Sequence, residues 1–306
     1  MNRSIKETIL LGFKGMAMGA ADVVPGVSGG TIAFISGIYE ELLTSISNIN
    51  FGLLKTFKNE GFKAVWEEIN GAFLASLFTG IFISILSLAK AIKWLLEFQP
   101  ILLWSFFFGL VLASVLYIAK QISKWSVVVA MLIIIGAIGG YAITIFPPLV
   151  SSEINYLFLG LAGAFAACAM ILPGISGAYI LLLLGAYSTV MDAIANKDLK
   201  IIASVGIGAV LGLITFSKGL KWLFSNYKNY TLAILTGIMI GSLNKIWPWK
   251  QIVSTYINSH GVEKALLEKS ISPFSYEGNT QLGMAIVSTL VGFALIFFME
   301  KIAAKK

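Results

Sequence analysis

The chain has 306 residues, 58% of them hydrophobic and only 12% charged, with a mean hydropathy of +0.87. A soluble domain carries about a quarter charged residues, so this composition excludes a water-soluble globular protein and points to a helical membrane protein. The net charge of +7 is not read as a nucleic-acid footprint. The lysines sit in links between apolar blocks, where they set topology and meet anionic headgroups.

In chain order, the N-terminal stretch through Gly26 is not read as a signal peptide. Lys14 interrupts its apolar run and no small-residue cleavage site follows. Ten apolar segments are predicted, at about 9–24, 28–47, 71–89, 100–119 and 126–146, then about 155–172, 176–195, 200–217, 230–246 and 282–299. Crossing the hydrocarbon takes about 20 residues, so several are full spans. The first and second segments, and the sixth and seventh, are long apolar stretches broken in the middle by Pro-Gly. The polar segment 247–281 is predicted as a short external domain or an amphipathic surface helix, with no chemistry in it. The single Cys168 rules out a disulfide within the chain and reads as packing. Together with the single His260 it is too little for a His/Cys metal cluster, and no cofactor is expected.

The two halves repeat. Residues 15–46 align with 163–194 at an offset of 148, which pairs Gly15 with Gly163, Pro25-Gly26 with Pro173-Gly174, Ser28-Gly29 with Ser176-Gly177, Gly37 with Gly185 and Tyr39 with Tyr187. Residues 80–96 align with 208–224 at an offset of 128, pairing Lys90, Lys93 and Trp94 with Lys218, Lys221 and Trp222; Gly109 then falls on Gly237. The fold expected is all-α and polytopic, with repeats 1–150 and 151–306. Five segments per half, an odd number, place the second half upside down, an arrangement common in secondary transporters. Of the 22 Lys and Arg, 14 fall on the side that would hold both termini. By the positive-inside rule that side is cytoplasmic.

The candidate site is the motif Asp22-Val-Val-Pro25-Gly26-Val-Ser28-Gly29-Gly30-Thr31 with its echo Pro173-Gly174-Ile-Ser176-Gly177. Pro stops a helix, Gly permits the turn, and Ser before an apolar run caps the helix that restarts. Its first amides and positive dipole end would face an anion, most simply a phosphate. Two breaks entering from opposite faces would meet near the midplane, as re-entrant hairpins around a buried or wet cavity. The plainer alternative is two sharp turns between ordinary spans. Asp22 has no counterpart, since Met170 takes its place. An acid there is either a proton- or sodium-coupling group or an interfacial side chain facing water. The repeated Lys-x-x-Lys-Trp, whose lysines share a helix face, offers a phosphate gripper but reads first as snorkelling lysines beside an aromatic belt. Lys14 and Glu40-Glu41 read first as interfacial groups and second as contacts to lipid headgroups.

Ala21-Asp-Val-Val-Pro-Gly-Val-Ser-Gly-Gly-Thr31, with the second Pro-Gly-Ile-Ser-Gly, resembles the PopT-type family of bacterial membrane proteins, also known as domain of unknown function 368. The resemblance covers essentially the whole chain. It implies a non-enzymatic translocase that returns undecaprenyl phosphate, the lipid carrier of cell-wall synthesis, across the cytoplasmic membrane. It carries Asp22 to Thr31 and Pro173 to Gly177 as the motif. The rival readings are a transporter or channel for a small ion, a membrane lipid phosphatase, and a structural membrane partner. No feature of the sequence specifies an oligomeric state.

Overall fold

In the computed structural model the described residues are 3–24, 26–149, 155–257 and 263–303. The first half comprises α1 (Ile5–Asp22), α2 (Gly29–Ile35), α3 (Tyr39–Ser47), α4 (Gly52–Glu68), α5 (Gly71–Phe98), α6 (Pro100–Lys120) and α7 (Val127–Ile145). The second comprises α8 (Tyr156–Ile171), α9 (Gly177–Leu183), α10 (Tyr187–Asn196), α11 (Leu199–Ser242), a 3-10 turn (Leu243–Ile246), strands β1 (Lys250–Ile257) and β2 (Glu263–Ser270), and α12 (Leu282–Ala303). Among the described residues four helices, α5, α6, α7 and α11, are long and apolar enough to cross a membrane. The pair α9 and α10, bent by 110°, would make a fifth. Phe78, Phe82 and Leu86 on α5, Ile134, Ile135 and Ile138 on α7, and Leu290 and Val291 on α12 are exposed, as lipid-facing side chains must be.

Helix pairs close on glycine. A Cβ added at Gly80 of α5 would collide with the Gly12 carbonyl oxygen of α1, and one at Gly208 of α11 with the Gly160 carbonyl oxygen of α8. These are equivalent positions of the two halves. In the same way Gly109 of α6 meets Thr289 of α12, and Gly237 of α11 meets Ile133 of α7. Lipid offers no hydrophobic drive for helix pairing, so close backbone approach across small residues supplies it. Three buried hydroxyls inside the spans bond within their own helix: Ser105, Ser114 and Thr236 donate to the carbonyls of Ile101, Leu110 and Leu232, which keeps them paired away from water.

Besides the 48–70 link, which carries α4, two further predicted links are helical. The 90–99 link is the end of α5, and the 218–229 link lies inside α11, which runs for 44 residues. At about 1.5 Å per residue α11 is about 66 Å long, twice the hydrocarbon thickness. It is kinked at Tyr227 (φ −135°, ψ 43°), and Gln99 at the equivalent point of the first half has φ −138° and ψ 47°. The backbone breaks at the same place in both halves. Pro100 then cuts the hydrogen-bond ladder in the first, whereas its counterpart Lys228 keeps an N–H and the helix continues.

The all-α expectation fails at 247–281. Within that segment β1 and β2 pair antiparallel, Lys250 opposite Ser270, with an irregularity between Ile252 and Thr255. Trp247 Nε1 donates to the Ile271 carbonyl at 2.8 Å and Trp249 Nε1 to that of Thr280 at 3.0 Å. Trp249 packs with Ile101 and Ala285, which fixes the start of the hairpin to the ends of α6 and α12. At the other end of the molecule Arg3 pairs with Glu41, and Lys228 with Glu40 at 2.7 Å. The Glu41 carboxylate also accepts from Asn70, and Ser123 donates to Asn229.

Candidate functional site

Both Pro-Gly breaks are buried. Gly26, Ser28, Gly29, Gly30, Thr31, Pro173, Gly174, Ser176 and Gly177 are all buried, Asp22 is partly so, and Pro25 lies outside the described residues. Gly26 and Gly174 each have φ +87°, in the left-handed region where a Cβ is penalised. The same turn is therefore made twice, once between α1 and α2 and once between α8 and α9.

The two breaks touch. Ser28 Oγ donates to the Met170 carbonyl at 3.0 Å and accepts from the Gly30 N–H at 3.1 Å. The Gly174 N–H donates to Thr31 Oγ1 at 3.0 Å. These bonds satisfy a late carbonyl of α8 and a turn amide that would otherwise be orphaned away from water. Gly30 makes the contact close: a Cβ there would fall on the Ile171 carbonyl oxygen and 2.9 Å from that of Met170.

The two restarted helices differ at their starts. The Gly29 N–H donates to Asp22 Oδ1 at 2.7 Å, so the first amide of α2 is already taken by the chain's own carboxyl group. The second half has Met170 in the equivalent place, packed against Gly177, and Ser176 makes no capping hydrogen bond.

A group of charges from outside the motif, Lys245, Lys250 and Glu268, stands beside the breaks. The stem of Lys245, in the turn after α11, packs against Gly26: its Cγ lies 2.9 Å from where a Cβ would stand. Its Nζ is 4.4 Å from the centre of the Tyr179 ring on α9. Lys250, the first residue of β1, holds its Nζ 3.9 Å from the Trp104 ring centre on α6. Both ammonium groups address one oxygen, Glu268 Oε2 on β2, at 3.7 Å for Lys245 and 3.4 Å for Lys250. Asn244 donates to Thr144 Oγ1 at 2.7 Å, and Tyr179 donates to the carbonyls of Ile143 and Thr144, so the end of α7 closes the same spot. The available signal was two lysines bracketing the Trp247-Pro-Trp249 run directly after an apolar span.

Burial pushes the Lys250 ammonium down to about 8. The Glu268 carboxylate opposes that fall and the Lys245 charge adds to it. An unfolded lysine titrates at about 10.4, so the unfolded chain binds the extra proton between the two values. The buried charge destabilises the fold fully below about pH 8, and stability recovers as pH rises through that window. Lys250→Met is accordingly expected to melt above wild type at pH 7, with the difference shrinking between about pH 8 and 10. Melting both proteins across that range checks it; a variant less stable at pH 7 contradicts it.

A family model described as undecaprenyl phosphate translocase-like matches residues 18–264. The chain is 50% identical over 296 residues to a polyprenyl-phosphate transporter of Vibrio cholerae serotype O1 (strain ATCC 39315 / El Tor Inaba N16961), covering 95% of this chain and 96% of that protein. The chain belongs to the undecaprenyl phosphate translocase-like family. It is also 34% identical over 256 residues to a polyprenyl-phosphate transporter of Staphylococcus aureus (strain NCTC 8325 / PS 47), covering 77% of this chain and 84% of that one. No solved structure matches. In this member of the family a cavity of about 550 Å³ opens at the opposite end from the lysines, lined by residues that include Phe34, Tyr39, Glu40, Tyr117 and Lys120. At the offset of 128 Tyr117 aligns with Lys245.

Proposed function

We propose that this chain moves polyprenyl phosphate, with undecaprenyl phosphate as the natural form, from the outer to the cytoplasmic leaflet of the bacterial cytoplasmic membrane. The family and the names of its two relatives support the substrate. The observation that carries the mechanism is the direct contact of the two breaks through Ser28, Thr31, Met170 and Gly174. Residues 1–150 and 151–306 act as inverted repeats, each contributing one re-entrant break, with both termini cytoplasmic. Equal turns at Gly26 and Gly174 and matched glycine contacts support that symmetry.

A prenyl tail gains roughly 0.8 kcal/mol per buried CH₂ in lipid, so it stays there. Only the charged headgroup needs a polar route through hydrocarbon, where an isolated charge is expensive. Rocking of one repeat against the other would expose the place where the breaks meet first to one side and then to the other. Ser28 to Thr31 and Ser176 to Gly177 supply hydroxyls and amides along that route. Asp22 is the proton- or sodium-coupling group: it competes with phosphate for the α2 amides while ionised and yields them when neutralised.

Reconstitution tests this. Vesicles carrying the full chain should transfer a short-chain polyprenyl phosphate between leaflets faster than protein-free vesicles, and Ser28→Ala and Ser176→Ala should slow the transfer. Transfer no faster than in protein-free vesicles rejects the function. Asp22→Asn keeps an acceptor for Gly29 but removes the charge, so its rate should lose the pH dependence of wild type. An unaltered pH profile removes Asp22 from the mechanism.

A further inference from the structure

Two buried ammonium groups share a single carboxylate oxygen beside the breaks. The side chains of Lys245, Lys250 and Glu268 are 16%, 10% and 28% exposed. Taking lysine out of water is expensive, and one partner does not compensate two. Aromatic faces at Tyr179 and Trp104 give each cation a second favourable contact, yet among the described residues the group still carries one unbalanced positive charge. A cluster built for stability alone would balance its charges or use apolar side chains. This one is short of an anion, and both lysines reach it from rigid supports: Lys245 against Gly26 and α9, Lys250 on the tryptophan-anchored start of the hairpin.

We propose that Lys245 and Lys250 are the receptor for the phosphate monoester headgroup, and that Glu268 holds its place in the unloaded chain. The inference rests on the transport reading above and assigns the headgroup to particular side chains. A phosphate monoester carries close to two negative charges at neutral pH and three acceptor oxygens. It therefore outbids one carboxylate for two ammonium groups and swings Glu268 out from between them. The same carboxylate, returning, weakens the hold on the phosphate and lets it leave, which a carrier needs and a tight receptor lacks. The hairpin end is the outward-facing end in the proposed orientation, so the receptor meets the lipid where it is collected.

The test uses the full chain in nanodiscs, with farnesyl phosphate as the probe, farnesol as the uncharged control and inorganic phosphate as the tail-less one. Lys245→Met and Lys250→Met should each weaken farnesyl phosphate on the order of tenfold, with farnesol binding unchanged. Glu268→Gln should tighten it several-fold, an effect that a merely structural carboxylate does not produce. Inorganic phosphate should show the same order of variants at much lower affinity. Equal affinity for farnesyl phosphate and inorganic phosphate overturns the assignment to a lipid headgroup. Wild-type affinity in both lysine variants overturns the receptor. Where a lysine variant does not fold, Glu268→Gln decides, and unchanged or weaker binding there also overturns it. A wild-type chain that neither binds farnesyl phosphate nor transfers polyprenyl phosphate rejects the transport reading. A chain that transfers lipid normally with both lysines replaced rejects only this inference.

Discussion

Gly30→Val is expected to cut transport by at least about tenfold while leaving the chain folded in the membrane. The added Cβ falls on the Ile171 carbonyl oxygen and close to that of Met170. Both are backbone atoms at the end of α8 and cannot swing away as a side chain would. Relief requires α2 and α8 to separate, which stretches the Ser28–Met170 and Gly174–Thr31 hydrogen bonds together. Overpacking of this kind costs about 1–3 kcal/mol, enough to disorder the meeting of the breaks without dissolving the bundle. Gly219→Ala on α11 is the control, because nothing lies within 4 Å of the new methyl. The measurement is transfer of a short-chain polyprenyl phosphate in vesicles, with melting of the purified protein alongside. A Gly30→Val chain that transports at the wild-type rate would show that contact between the breaks is incidental.

Gly80→Leu and Gly208→Leu should both lower stability strongly, and by similar amounts. Each added side chain is driven into a backbone carbonyl of the facing helix, Gly12 on α1 or Gly160 on α8. In lipid the pairing of these helices depends on close backbone approach. Losing it is expected to cost roughly 3 kcal/mol or more, in the range reserved for core disruption. Recovery of monodisperse protein and its melting temperature report the effect, against Gly139→Ala, where the added methyl meets open space. The equality matters as much as the size. A large loss at Gly80 with none at Gly208 would contradict equivalent roles for α1–α5 and α8–α11.

The breaks were legible because Pro-Gly inside an apolar run leaves few backbone options, and its repetition at one offset marked the depth as shared. The burial of Ser28 and Ser176 and the equal turns at Gly26 and Gly174 follow from that chemistry. Spans were legible by length, but their ends were not. Lys218 and Lys221 read as a link, yet both are good helix formers whose stems can lie along apolar surface, and no Pro interrupts α11. The strands after Trp249 were missed because a short polar segment gives no strong period of either kind. The lysine group was invisible for a different reason. Lys245 touches Gly26, and Lys250 touches Trp104, only once the last part of α11 and the hairpin have folded back over the first half. Asp22 was singled out as unmatched, but its partner Gly29 lies across the break, where no helical periodicity applies.

A phosphate headgroup held where the two breaks meet is the central proposal. A cryo-EM structure of the full chain in nanodiscs with a short-chain polyprenyl phosphate tests that directly. Phosphorus density among Lys245, Lys250, Gly26 and Gly174, with the tail leading out to lipid, is the expected result. Headgroup density on the lipid-facing perimeter, away from both breaks, would contradict it.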